Sequence, residues 1–89
     1  MTLIEFYGEE CPHCAAMEDK VERLEENEDV DVEQREVWHD EENAARQQEL
    51  DDGKCGGVPY FINTDTGEYI CGEAPYDELV AWATGRSAE

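Results

Sequence analysis

Apolar and polar residues change their period several times along this chain, and each change marks an element. Leu3-Ile4-Glu5-Phe6-Tyr7 is short, β-prone and almost continuously apolar, as expected of a buried strand. Gly8 and Pro12 punctuate its end. From Pro12 to about Glu26 the apolar residues Ala15, Met17, Val21 and Leu24 approximate helical spacing among charged neighbours. Pro12 suits the first turn of that helix, where its missing N–H costs nothing. Val30 to Trp38 alternates in part and predicts a second strand. Asp40 is placed to cap a second helix from Glu41 to about Leu50, which Asp51-Asp52-Gly53 ends. Val58 to Asn63, the turn Thr64-Asp65-Thr66-Gly67 and Glu68 to Cys71 read as a hairpin. A last helix over about Tyr76 to Thr84 should bury Leu79, Val80 and Trp82, with Gly85 closing it.

The order is βαβαββα. A parallel pair joined by a helix, then a hairpin and a terminal helix, implies an α/β fold with helices flanking a four-stranded mixed sheet. With 89 residues, no repeats and no linker, a single domain spanning residues 1–89 is expected.

Composition then narrows the function. Twenty-five Asp and Glu face six Lys and Arg, a net charge of −19. The acids run from Glu5 to Glu89 between apolar stretches such as Val58-Pro59-Tyr60-Phe61-Ile62, a folded domain's pattern rather than a disordered tail's. Such a surface fits a halophilic organism with molar salt in its cytosol. At about 1 M salt the Debye length is roughly 3 Å, which screens the self-repulsion. Nucleic acid and anionic membranes are disfavoured as partners, because phosphate recognition needs Lys and Arg. Apolar runs fall far short of the roughly 18 residues of a membrane span, and no secretory signal precedes the first strand. A cytoplasmic location is expected, where cysteines tend to be catalytic or metal-binding.

Cys11-Pro12-His13-Cys14 stands where the first strand gives way to the first helix. Unpaired N–H groups and the positive end of the helix dipole favour a thiolate at such a position. Cys11, expected to be exposed, would attack a substrate disulfide, and Cys14, tucked inward, would resolve the mixed disulfide. His13 could add positive charge or a hydrogen bond to the thiolate. The competing reading of a lone C-x-x-C is half a zinc site, but Cys55 and Cys71 are sixteen residues apart and do not supply the usual second close pair.

Taken together, Phe6-Tyr7-Gly8 before Cys11-Pro12-His13-Cys14, Gly57-Val58-Pro59 leading a hairpin, and Cys71-Gly72 before the final helix resemble the thioredoxin/glutaredoxin superfamily over nearly the whole chain. The resemblance implies a thioredoxin-like fold and dithiol–disulfide exchange on protein or low-molecular-weight disulfides. It requires no cofactor, and electrons would come from a separate reductase or a small thiol. It also implies that Pro59 is a cis-proline beside the disulfide, that Val58 presents its backbone to an extended substrate, and that Pro12 and Gly72 border the same groove. Glu5 lies where thioredoxins carry a buried acid beneath the disulfide. If buried, its pKa rises and it could take the proton that Cys14 loses; the alternative is a solvent-facing Glu. The chain departs from the superfamily at Glu10, where thioredoxins carry Trp, and at Gly57, where glutaredoxins carry Thr.

Cys55 precedes Pro59 by four residues, and the hairpin places Cys71 opposite Tyr60. Three readings stay open for this pair: a second disulfide that relays electrons or regulates the site, two of four thiolate ligands with Cys11 and Cys14 for zinc or an iron–sulfur cluster, or unpaired small apolar residues. His39 reads as a surface residue. Trp38, Trp82, Phe61 and Phe6 read as core or interface aromatics, whereas Tyr60 and Tyr7 are placed either in the core or flanking the active-site groove. A monomer is expected. The rival functions are a metal-binding module built on the four cysteines and a non-catalytic thioredoxin-fold adaptor.

Overall fold

A computed structural model describes residues 2–85. Strand β1 (Leu3–Tyr7) occupies the interior of a four-stranded sheet ordered β2-β1-β3-β4, with β2 at Val32–Glu36, β3 at Tyr60–Asn63 and β4 at Tyr69–Cys71. β1 runs parallel to β2, pairing Leu3 with Val32 and Tyr7 with Glu36, and antiparallel to β3, pairing Ile4 with Ile62 and Phe6 with Tyr60. β3 and β4 form the antiparallel hairpin, with Tyr60 opposite Cys71. Helices α1 (Pro12–Glu28), α2 (Glu41–Asp51) and α3 (Tyr76–Thr84) complete an α/β fold with a mixed sheet.

The two strands flanking the interior are shorter than their patterns predicted. β2 covers only Val32–Glu36 of the expected Val30–Trp38, and β3 starts at Tyr60 rather than Val58. Pairing to β1 sets both limits, because a ladder ends where its partner strand ends.

Each face of the sheet has its own core. Leu3, Val32 and Phe61 pack with Met17, Val21 and Leu24 of α1 and with Leu79, Trp82 and Ala83 of α3. Phe61 meets Trp82 edge-on, with centroids 5.4 Å apart. On α1 the buried stripe is Cys14, Met17, Val21 and Leu24, a single helical face. Ala15, expected in that stripe, is exposed because it lies about 100° round the helix from Cys14. Ile4, Phe6, Tyr60 and Ile62 form the opposite core. Its cover is thin: α2 contributes Leu50, and Val37, Cys55 and Val58 come from the adjoining segments.

Local signals placed the helix ends well. Asp40 caps α2, its Oδ1 accepting the Asn43 N–H at 3.1 Å. Gly85 closes α3 at φ 73°, its N–H donating to the Ala81 carbonyl. At the far end of the hairpin Asn63 is fully buried. Its side-chain amide donates to the Trp82 carbonyl at 3.0 Å, and its Oδ1 accepts the Asp65 N–H at 3.0 Å. The turn is thereby joined to the end of α3. Asn63→Ala is expected to cost about 2–4 kcal/mol, since it strands buried polar groups on both elements; urea unfolding of the variant beside wild type measures this.

Candidate functional site: a cysteine pair at a helix N-terminus

The chain leaves β1 at Tyr7, turns at Gly8, whose carbonyl accepts the Cys11 N–H at 3.1 Å, and enters α1 at Pro12. Cys11 is the N-cap. Its Sγ accepts the Cys14 N–H at 3.1 Å, the bond that Ser or Asp makes at other helix starts. The two sulfurs lie at disulfide-bonding proximity, with Cα atoms 5.2 Å apart. Both cysteines are buried, Cys11 5 % exposed and Cys14 4 %. The expected exposure of Cys11 is thus corrected. A capping side chain folds back over the first turn instead of projecting from it, and this covers the sulfur.

The Val58–Pro59 bond is cis, as the resemblance implied. Pro59 is buried, and its carbonyl accepts the Gly72 N–H at 2.8 Å, so Gly72 is joined to the proline-bearing segment. Val58 is half-buried, and among the described residues no partner takes its backbone N–H or C=O. Beside it opens a groove of about 270 Å³ lined by Trp38, Gln47, Gly57 and Val58 among others. Gln47 holds the groove wall by donating its side-chain amide to the Gly57 carbonyl at 2.7 Å.

Glu5 is 1 % exposed. It shares a sheet face with Leu3 and is paired with Phe61, so it points toward the helix layer that carries Cys14. Burial pushes its carboxyl up to about 7, against the lowering effect of the Gln34 side-chain amide, which donates to Oε1 at 2.9 Å; Glu18 on α1 adds a further rise. The solvent-facing alternative for Glu5 is excluded.

Other candidates are displaced from their expected places. His13 is exposed, and its Nδ1 meets Glu73 Oε2 at 2.5 Å. Among the described residues no hydrogen bond joins this ring to either sulfur, because its position on the outer side of the first turn aims it at the segment after Gly72. Lys20 ties that segment to α1 as well, donating to the Ala74 carbonyl at 2.9 Å. Tyr60 does not border a groove. It is fully buried, stacked on Phe6 with centroids 6.0 Å apart, and its hydroxyl donates to the Leu50 carbonyl. Burial raises its pKa to about 12. Its place opposite Phe6 in the interior of the sheet decides this.

Trp38 is 51 % exposed rather than core, yet its indole lies against Gly8 so closely that a Cβ there would overlap the ring. Glu36 gathers the loops around it, its carboxylate accepting the N–H groups of Glu9 at 2.9 Å, Trp38 at 3.1 Å and His39 at 2.7 Å. Some desolvation raises the Glu36 pKa, but these donors outweigh it and the net shift is downward. His39, exposed as expected, bonds Glu10, and that hydrogen bond raises its pKa. Neither Glu36 nor Gln47 was singled out from sequence. A carboxylate near the end of a strand-like stretch was the available signal for Glu36, and in so acidic a chain it carries little contrast.

Cys55 and Cys71 form a second disulfide, with Cα atoms 5.4 Å apart. The four cysteines therefore stand as two separate pairs. Among the described residues the group of three or more ligand-type side chains that converges is Glu9, Glu10 and His39, all exposed, and not a four-thiolate set. No described helix is long and apolar enough to cross a membrane. Comparison with known proteins finds no matching family model, no similar curated protein and no similar solved structure.

Two outcomes follow from the site's geometry. A carboxyl whose folded pKa is raised stabilises the fold fully below its unfolded value and loses that contribution as pH climbs through the folded one. Stability should therefore fall between about pH 4.5 and pH 7 by roughly 3 kcal/mol more in wild type than in Glu5→Gln, as read from urea midpoints across pH. Gly8→Ala should drive the indole of Trp38 aside and cost about 1–3 kcal/mol, with a changed tryptophan emission as its signature.

Proposed function

We propose that this chain is a thioredoxin-like thiol–disulfide oxidoreductase acting through Cys11 and Cys14. The observation that carries the reading is the closed cysteine pair at the start of α1, with the Cys14 N–H directed at the Cys11 sulfur. An N–H donor and the positive end of a helix stabilise negative charge on sulfur, which is what a nucleophilic thiolate needs.

In the proposed cycle the Cys11 thiolate attacks one sulfur of a substrate disulfide. The substrate bond breaks, a mixed disulfide forms on Cys11, and the other substrate sulfur leaves as a thiolate. Cys14 then gives up its proton and attacks Cys11, closing the pair and releasing the second substrate thiolate. A carboxyl with a pKa near 7 in the layer between β1 and α1 suits the role of proton acceptor, and Glu5 is that group. The free backbone groups of Val58, next to the cis-proline, would pair with an extended substrate as an added strand does.

No cofactor is needed for the exchange itself. A separate reductase or a low-molecular-weight thiol would return the pair to the dithiol form. The substrates are disulfide-bearing proteins or small disulfides, and the compartment is the cytoplasm of a high-salt cell, a reading that rests on the acidic composition. The His13–Glu73 contact gives His13 a part in positioning the segment after Gly72.

Disulfide reduction of insulin by dithiothreitol in multimolar KCl tests the proposal. Wild type should accelerate it well above background, and Cys11→Ser should abolish the acceleration. Glu5→Gln should retain binding but slow turnover about 10–100-fold with a flattened pH profile between pH 6 and pH 8. A folded wild type without turnover would refute the oxidoreductase reading.

A further inference from the structure

The disulfide between Cys55 and Cys71 lies outside the proposed cycle, and its setting differs from that of the first pair. Cys71 is exposed at the end of β4, the edge strand of the sheet, whereas Cys55 is half-buried against the thin core beneath α2. The bond joins β4 to the loop at residues 52–57, which holds Gly53 and Gly56 at positive φ and forms a wall of the groove beside Val58. The loop is also tied back to α2 from its far half: the Asp51 carboxylate accepts the N–H groups of Cys55 at 2.5 Å and Gly56 at 2.6 Å. Toward β4 its ties are the disulfide and Lys54, whose ammonium sits 5.5 Å from the centre of the Tyr69 ring at the surface.

We propose that Cys55–Cys71 is a second thiol–disulfide exchange site, open to low-molecular-weight thiols at Cys71, whose reduction frees this loop and alters the groove. The thiolate of a small thiol attacks the exposed Cys71 sulfur. The Cys55–Cys71 bond breaks, a mixed disulfide forms on Cys71, and Cys55 leaves as a thiolate that takes up a proton. A second small thiol attacks the mixed disulfide at the small-thiol sulfur. Cys71 is released reduced, the two small thiols depart as their disulfide, and two electrons have passed to the protein. The glycines then let the loop move away from β4, opening more often the bonds by which Asp51 and Gln47 hold Cys55, Gly56 and Gly57.

Free cysteine is the probe, applied in graded cysteine/cystine buffers to the Cys11→Ser/Cys14→Ser protein. Alkylation with mass spectrometry follows the thiols, far-UV circular dichroism the fold, and amide hydrogen exchange the loop. The expected result is reduction of Cys55–Cys71 in the folded protein, a trapped cysteine adduct on Cys71, and about tenfold faster exchange over residues 53–58 with β1 unchanged. Wild type in the same buffers, with each disulfide followed in its own peptide, gives the same reading should the double variant fail to fold. Neither measurement depends on oxidoreductase turnover, so a failed insulin assay leaves this outcome legible. Persistence of the disulfide until denaturant unfolds the chain would make it a permanent staple and overturn the proposal. Reduction without a change in loop exchange would overturn it equally.

Discussion

The pairing of β1 on both its edges is the constraint on which the rest of this structure depends. A strand with a parallel neighbour on one side and an antiparallel neighbour on the other has the backbone groups of Leu3 to Phe6 flanked by partners on both edges, and apolar residues pack on both its faces. Every side chain from Leu3 to Phe6 must therefore tolerate burial. The same pairing fixes where the strand ends. Tyr7 is the last paired residue, Gly8 turns the chain against the Trp38 ring, and Cys11 arrives at the start of α1 with its sulfur over the first turn. The position of the cysteine pair is thus a consequence of where a ladder stops.

Charge is sorted by the same geometry. In a chain of net charge −19 most carboxylates remain on the surface, where water and salt screen them. Two of them near the β1–α1 junction behave in opposite ways. Glu5, drawn inside with its strand, has one amide from Gln34 as compensation, and its carboxyl is pushed up to about 7. Glu36, in the last pair of the β1–β2 ladder, collects backbone N–H groups of Glu9, Trp38 and His39 and is held below the ordinary range despite some desolvation. Identical side chains thus receive opposite protonation tendencies from burial and from the donors available to each.

The two sides of the sheet are unequally protected. α1 and α3 place Met17, Val21, Leu24, Leu79 and Trp82, with the smaller Ala83, on one face. α2, whose sequence Glu41-Glu42-Asn43-Ala44-Ala45-Arg46-Gln47-Gln48-Glu49-Leu50-Asp51 is mostly polar, places Leu50 on the other. The loop after α2 must complete that cover, and the link from Cys55 to Cys71 holds it to the edge strand. The thin face is also where the groove lies, bounded by the exposed Trp38 and by Val58. A second full apolar helix face on this side would close the groove.

By itself the sequence determined what is local. The element order, the caps at Asp40 and Gly85, the hairpin turn and the Cys-Pro-His-Cys helix start are each specified by neighbouring residues, through φ/ψ preferences, capping bonds and periodicity. The opposition of Tyr60 and Cys71 followed from counting along one hairpin. What the tertiary structure decided are outcomes of contact between distant segments. It buried Glu5 and Tyr60, covered Cys11, turned His13 to Glu73, left Trp38 against Gly8 with its outer face in solvent, and joined Cys55 to Cys71. A residue's pattern in the chain states which face of its element it occupies. Burial, protonation and bonding partner depend on what packs against that face, and those groups lie tens of residues away.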